Sequence, residues 1–263
     1  MQSSQNKIST ILPAPFAWMH IPAGTVTLIR DSAEKVAGYL EQNTVFDVPE
    51  FHMAKYLVTN AQYRVFVENG YMQSKWWTEE GWALREKGQW TQPSAWTLPD
   101  RSGDEYPVCG VSWYEAVAFC RWLSDASGEA VTLPTEPQWQ RAAQGDDGRI
   151  FPWGNEWDST RCSNNVDGNG TRRTNPVRQY EAQNGKPNGE SPFGVLDMVG
   201  NLWEWCLTDY HTGQADIHQS AKYRILRGAP TGEECIDLYR CDYRYWFKPH
   251  ERYKDWGIRL VKV

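Results

Sequence analysis

The chain has 263 residues, a formal net charge of −6 and a pI near 5.5. The length admits one large domain with a substantial core. The acidic balance gives no sign of the basic face that nucleic acid requires. No apolar run reaches the length of a membrane span, and Met1–Thr10 lacks the charged-then-apolar order of a signal peptide. The expectation is a cytoplasmic protein with neither nucleic acid nor membrane as partner. Fifteen Trp, 13 Tyr and 21 Gly accompany a mean hydropathy of −0.67. That mixture points to a loop-rich α+β domain whose irregular segments are pinned by large aromatics.

In chain order, residues 1–15 read as a flexible lead and 16–263 as one domain, with no internal repeat. Trp18–Ile29 is β-rich with a turn at Pro22–Gly24, which predicts a hairpin. Thr44–Met53 reads as a further strand. Three helices are predicted. The first spans about Asn60–Glu68, with an N-cap at Thr59 or Asn60 and Gly70 as stop. The second, Trp113–Ser124, opens on the Ser112/Glu115 capping box. The third, Glu136–Ala143, is capped by Thr135 and Gln138, with Pro137 in its first turn and Gly145 as stop. Between the first two lies a connection rich in Trp (Trp76, Trp77, Trp82, Trp90, Trp96), expected to be ordered by aromatic packing rather than by regular structure. Beyond residue 145 the chain is dominated by loops, with short strands or turns at Phe193–Trp205 and Tyr223–Arg227 and a last strand at Trp256–Val263.

Six cysteines are scattered (Cys109, Cys120, Cys162, Cys206, Cys235, Cys241), with no CxxC or HxxxH spacing, which argues against a disulfide framework or a zinc site. Cys109 and Cys120 are expected to be core thiols.

Several motifs follow one another: Pro107-Val108-Cys109-Gly110-Val111-Ser112-Trp113, Leu133-Pro134-Thr135-Glu136-Pro137-Gln138-Trp139, Phe151-Pro152-Trp153-Gly154, Phe193 through Trp205, Arg227-Gly228 and Gly257-Ile258-Arg259-Leu260. In this order they resemble the formylglycine-generating enzyme (sulfatase-modifying factor) family over about residues 15–263. The resemblance implies a C-type-lectin-like fold. It also implies a structural Ca²⁺ held by Asp197, the carbonyls of Gly200 and Leu202, and Glu204, a set whose oxygen chemistry suits that ion. A second family site would fall near Asn165 and Val166.

The enzymes of the family oxidise a substrate cysteine with O₂ and a Cu(I) ion held by two cysteines five positions apart. Arg240-Cys241 matches the second of them. The only close companion, Cys235, is six positions back, and one residue of slip in an extended strand turns a side chain to the other face. A branch that makes sulfoxides uses three histidine ligands from a helical domain. His20, His52, His211, His218 and His250 show no ligand spacing.

The C-terminal segment also resembles the variable region of diversity-generating retroelement proteins. A fixed frame of Arg227-Gly228, Arg240-Cys241-Asp242-Tyr243-Arg244, Pro249, Arg252 and Gly257-Ile258-Arg259 surrounds changeable residues. Ala229-Pro230-Thr231 departs from the pattern. The candidate ligand-binding residues are Glu233, Glu234, Asp237, Tyr239, Asp242, Tyr245, Trp246, Phe247, His250, Tyr253, Lys254, Asp255 and Trp256, a composition suited to a contact surface. Two roles therefore stand. The first is a non-catalytic domain that binds a protein or other macromolecular ligand through this segment, either alone or as a sensor or effector module detached from a longer polypeptide. The alternative is a copper-dependent formylglycine-generating oxidase using Cys235 and Cys241.

Overall fold

The computed structural model describes residues 7–30, 38–166, 168, 170, 172–182 and 188–262. In chain order the elements are β1 (Trp18–Ile21), β2 (Gly24–Leu28), β3 (Thr44–Val48), β4 (Phe51–Ala54), α1 (Asn60–Asn69), α2 (Glu79–Lys87), α3 (Trp113–Ser127), β5 (Val131–Thr132), α4 (Glu136–Gln144), β6 (Trp203–Asp209), β7 (Arg224–Arg227), β8 (Tyr245–Phe247), β9 (Trp256–Gly257) and β10 (Val261–Lys262). They form two four-stranded sheets, β1-β4-β10-β5 and β8-β7-β6-β9, and the separate pair β2-β3. This is a loop-rich α+β domain of the C-type-lectin-like kind.

The predicted helices form where their caps placed them. Thr59/Gln62, Ser112/Glu115 and Thr135/Gln138 each make a reciprocal capping box, which satisfies orphan N–H groups at the first turn. Eleven of the fifteen residues of α3 are buried, so this helix has no broad solvent face and sits inside the core. The Trp-rich connection also packs inward. Trp77 is 3% exposed and donates from its indole to the Tyr71 carbonyl at 2.9 Å, while Trp76, Trp82, Trp90 and Trp96 lie half-buried against the core.

Five expectations need correction. The Trp18–Ile29 hairpin does not form. β1 pairs with β4 and β2 with β3, because the chain between them wraps the Arg141 guanidinium, which donates to the carbonyls of Pro22 and Ala23 at 3.3–3.4 Å. The strand at Thr44–Met53 is broken at Pro49-Glu50 into two strands of different sheets, and the last strand splits into β9 and β10. The Trp-rich connection contains a helix, α2, capped by Thr78, with Glu79 and Glu80 in its first turn and Arg85 and Lys87 in its last, charges that suit the helix dipole. In the N-terminal lead, residues 7–15 are tied down. Ile8 and Leu12 are buried, and the carbonyls of Pro13 and Pro15 accept from the Gln62 amide at 2.9 and 2.7 Å. Residues 1–6 of that lead, and Val263, lie outside the described residues.

Candidate functional site

Residues 227–259 have little regular structure, so their backbone cannot hold itself in place by ladders alone. Their arginines do so instead. Arg227 and Arg244 converge on Glu136, the first residue of α4: Arg227 Nη1 lies 3.1 Å from Oε1, and Arg244 reaches Oε1 at 2.7 Å and Oε2 at 3.1 Å. The Tyr39 hydroxyl donates to the same carboxylate at 2.8 Å. Burial opposes the charge on Glu136, but the guanidinium of Arg244 and then that of Arg227 hold its carboxyl below the usual range. Arg227 also donates to Gln140 Oε1 at 2.5 Å and to the Cys241 carbonyl at 2.6 Å. Arg252 grips Glu115 with two bonds of 2.9 Å, and Glu115 also receives Ser112 N and the Tyr71 hydroxyl. Arg259 grips Glu204 on β6 at 3.0 and 2.8 Å, and the Trp139 indole donates to the same carboxylate at 2.9 Å. Four guanidinium groups thus meet three wholly buried carboxylates from outside the segment. Arg240 differs, pairing with its neighbour Asp242 at the surface.

The residues between these anchors divide. Glu234, Asp237, His250, Tyr253 and Lys254 are exposed, while Glu233, Asp242, Tyr245, Trp246, Phe247 and Asp255 are half-exposed. Tyr239 (0% exposed) and Trp256 (4%) belong to the core rather than to a binding face. The Tyr239 hydroxyl donates to the carbonyls of Pro230 and Glu233, and Trp256 packs edge-on against Trp205. Strand alternation splits the aromatics of β8. Tyr245 stacks on Trp203 at 5.1 Å, and Phe247 meets Tyr253 at 5.5 Å. Trp246 points the other way, against Tyr210 and Tyr223. Tyr245, Phe247 and Tyr253 therefore make one aromatic row, and Trp246 does not join it. Several acidic candidates are already engaged: Glu234 with Arg172 at 2.8 Å, Asp242 with Arg240 at 2.7 Å and Asp255 with Arg101 at 2.9 Å.

The two cysteines lie in different environments. Cys235 is exposed, just before the 3-10 turn Ile236–Tyr239. Cys241 is 0% exposed, and burial pushes its thiol well above the ordinary value. Its backbone is fixed by Cys241 N donating to the Ile150 carbonyl at 2.8 Å. A copper centre open to a substrate needs two accessible thiolates, and Cys241 is a packing residue in this arrangement. Cys109 and Cys120 are likewise buried.

At the proposed calcium turn, Asp197 is 4% exposed with a φ of +54°, and its Oδ2 accepts from the Asn201 amide at 3.0 Å. The Gly200 carbonyl accepts from Leu202 N at 3.0 Å. Glu204 is committed to Arg259 and Trp139, so a guanidinium already neutralises this member of the set. Asp197 and the two carbonyls remain oxygen donors of the type that Ca²⁺ takes. Near the second proposed site, Asn165 N donates to the Glu233 carbonyl, its side-chain amide donates to Glu234 Oε1 at 3.3 Å, and Val166 N donates to Asn164 Oδ1. No group of three His, Cys, Asp or Glu suited to a metal occurs among the described residues.

Sequence reading did not find Glu136, Glu115, Tyr39 and Tyr71 as anchors. The signal available was the identity of the capping positions: a carboxylate in the first turn of a helix whose surroundings are otherwise apolar calls for a cation.

Residues 14–263 match the family described as the sulfatase-modifying factor enzyme 1-like domain. The hercynine oxygenase of Mycobacterium tuberculosis is 31% identical over 242 residues, covering 82% of this chain and 53% of that protein. The chain thus spans about half the length of the curated relatives it matches first. Among solved structures, PvdO from Pseudomonas aeruginosa superposes with a TM-score of 0.68 at 19% identity, covering 93% of both chains. Treponema denticola variable protein 1 gives 0.64 at 19% identity over 94% of this chain and 95% of that one. With its motifs in order, its fold shared and nearly its whole length matched, the chain belongs to the sulfatase-modifying factor (formylglycine-generating enzyme-like) family.

Proposed function

We propose that this chain is a non-catalytic domain that binds a protein or other macromolecular ligand through the aromatic row Tyr245–Phe247–Tyr253 and the polar residues around it. The observation that carries the reading is the division of labour within residues 227–259. Arg227, Arg244, Arg252 and Arg259 are consumed by buried carboxylates, while the aromatic row is left partly in solvent on a rigid base. Tyr and Trp give contact area at low entropy cost. The exposure of Cys235 against the full burial of Cys241 argues against the copper oxidase. A reducing compartment such as the cytoplasm suits six cysteines of which none is in a disulfide.

A photo-crosslinking residue at Tyr253 or His250 is expected to capture the same partner, and the Phe247→Ala/Tyr253→Ala protein is expected not to compete for it. Equal capture from Val45, exposed on β3, would remove the site specificity. The copper alternative is read by Cu(I) titration of the reduced protein. Tight one-to-one binding lost in both Cys235→Ala and Cys241→Ala, with O₂ uptake on a Cys-x-Pro-x-Arg peptide, would replace the binding reading with the oxidase. A structural Ca²⁺ belongs to the same proposal. Asp197 and the carbonyls of Gly200 and Leu202 would hold it, with Glu204 shared with Arg259. Its expected signature is a higher melting temperature in Ca²⁺ than in chelator, lost in Asp197→Ala.

A further inference from the structure

A cavity of about 660 Å³ opens between the start of α2, one face of α3 and the loop 217–221, with Arg224 of β7 in its lining. None of its lining residues falls in the C-terminal segment. The volume suits a small molecule. Its walls are aromatic: Trp77, Trp113 and Tyr114, all at most 3% exposed. Gly81 brings α2 so close to Tyr114 that a Cβ there would lie 2.8 Å from the Tyr114 Cβ, which fixes the width between the two helices.

The charge on Arg224 is what needs an explanation. It is 1% exposed and stacks over Trp113 at 4.0 Å. It donates to three backbone carbonyls, Leu207 at 2.5 Å, Asp216 at 3.1 Å and Gln219 at 2.8 Å, and its buried Nε has no partner. Arg227, Arg244, Arg252 and Arg259 each reach a buried carboxylate, whereas no ion pair to Arg224 occurs among the described residues. Burial accordingly pulls its pKa down. Asp209 and, more weakly, Asp216 and Glu80 oppose that shift from beyond ion-pair distance, so no carboxylate among the described residues touches the guanidinium. Holding loop carbonyls requires donors but not a charge, and a buried cation with no anion in contact is costly. Arg121 lines the same cavity and donates to the Trp77 carbonyl at 2.9 Å. At the exposed mouth, Glu80 accepts from the Ser220 hydroxyl at 3.2 Å, with Glu79 beside it. Two carboxylates there repel a dianion more than a monoanion.

We infer that this cavity binds a small aryl monocarboxylate, its ring between Trp77, Trp113 and Tyr114 and its carboxylate compensating Arg224 and Arg121. The site is separate from the proposed C-terminal surface.

The test uses the intact protein, with benzoate and indole-3-acetate as probes and phosphate and benzylamine as controls, by calorimetry and tryptophan fluorescence at fixed ionic strength. The aryl carboxylates should bind, and the controls should not. Arg224→Gln would also release the loop carbonyls, so two other variants carry the argument. Ala83→Trp fills the mouth from an exposed position and should abolish binding with the melting temperature unchanged. Arg121→Gln should weaken it by about tenfold. Absence of binding up to about 10 mM, binding unaffected by Ala83→Trp, or equal binding of phosphate or benzylamine would each overturn the inference.

Discussion

The C-terminal segment and the Trp-rich connection at 70–101 are both irregular and aromatic, yet they are fastened in opposite ways. The C-terminal segment is held by charge: four arginines on three buried glutamates. The connection is held largely by rings. Tyr71 packs edge-on against Trp77 at 5.1 Å, Trp77 against Trp82 at 6.3 Å, and Arg85 lies over Trp82 at 4.9 Å. The regions meet where Arg252 passes over Trp90 at 4.3 Å and donates to the Gln92 carbonyl. The apolar burial that ring packing brings is non-directional and degrades gradually. A buried ion pair is not strongly stabilising in itself, but removing one partner strands the other. The segment that carries the proposed binding surface is therefore the less forgiving of the two.

The sharpest way to break this contrast is Glu136→Gln, which leaves Arg227 and Arg244 facing a neutral amide. A loss of about 3–5 kcal/mol is expected in urea unfolding. Arg252→Met strands Glu115, which retains Ser112 and Tyr71, so a loss near the lower end, about 3 kcal/mol, is expected. Trp90→Phe, across the same contact, should cost less than about 1.5 kcal/mol. If Trp90→Phe proved as costly as Arg252→Met, the distinction between charge and ring anchoring would fail. Cys241→Ser places a hydroxyl in the core and should cost about 1–3 kcal/mol, while Cys235→Ser should stay within about 0.5 kcal/mol.

The pH response adds a further check. The folded-state pKa of Glu136 is lowered, so its contribution is complete above the unfolded value of about 4.3. It is lost as pH falls through the lower folded value. Stability measured downward from pH 5 should decline more steeply in the wild type than in Glu136→Gln. The smallest effect belongs to Tyr253→Ala, at 51% exposure, with a stability change within about 0.5 kcal/mol.

Much of this architecture is legible locally. The caps at Thr59, Ser112 and Thr135 predicted three helices because a capping box is a contact over three residues. α2 is not legible locally because Gly81 and its mixed charges blur the apolar stripe, and it becomes helical against Tyr114 rather than by its own pattern. The hairpin at Trp18–Ile29 failed because Arg141, more than a hundred residues away, takes the turn carbonyls. For the candidate site, the arginine frame was visible in residue type, but its partners lie 55 to 137 residues away. Whether Tyr239, Trp246 or Trp256 faced solvent depended on packing against Trp157, Tyr210 and Trp205 respectively, which a single segment does not encode.

The separation between Glu115 and Arg252 has a kinetic consequence. Glu115 is fixed early by its own capping box, yet the cation that neutralises it is 137 residues away, and closing so long a loop carries an entropic cost before any contact forms. Until that loop closes, α3 cannot sink fully into the core without carrying a carboxylate that Ser112 and Tyr71 can hydrogen-bond but not neutralise. Water must remain around its first turn, and the last increment of burial waits for Arg252. Docking of the segment then gates the final desolvation of the domain, so amide protons in the first turn of α3 should become protected together with those of residues 249–256.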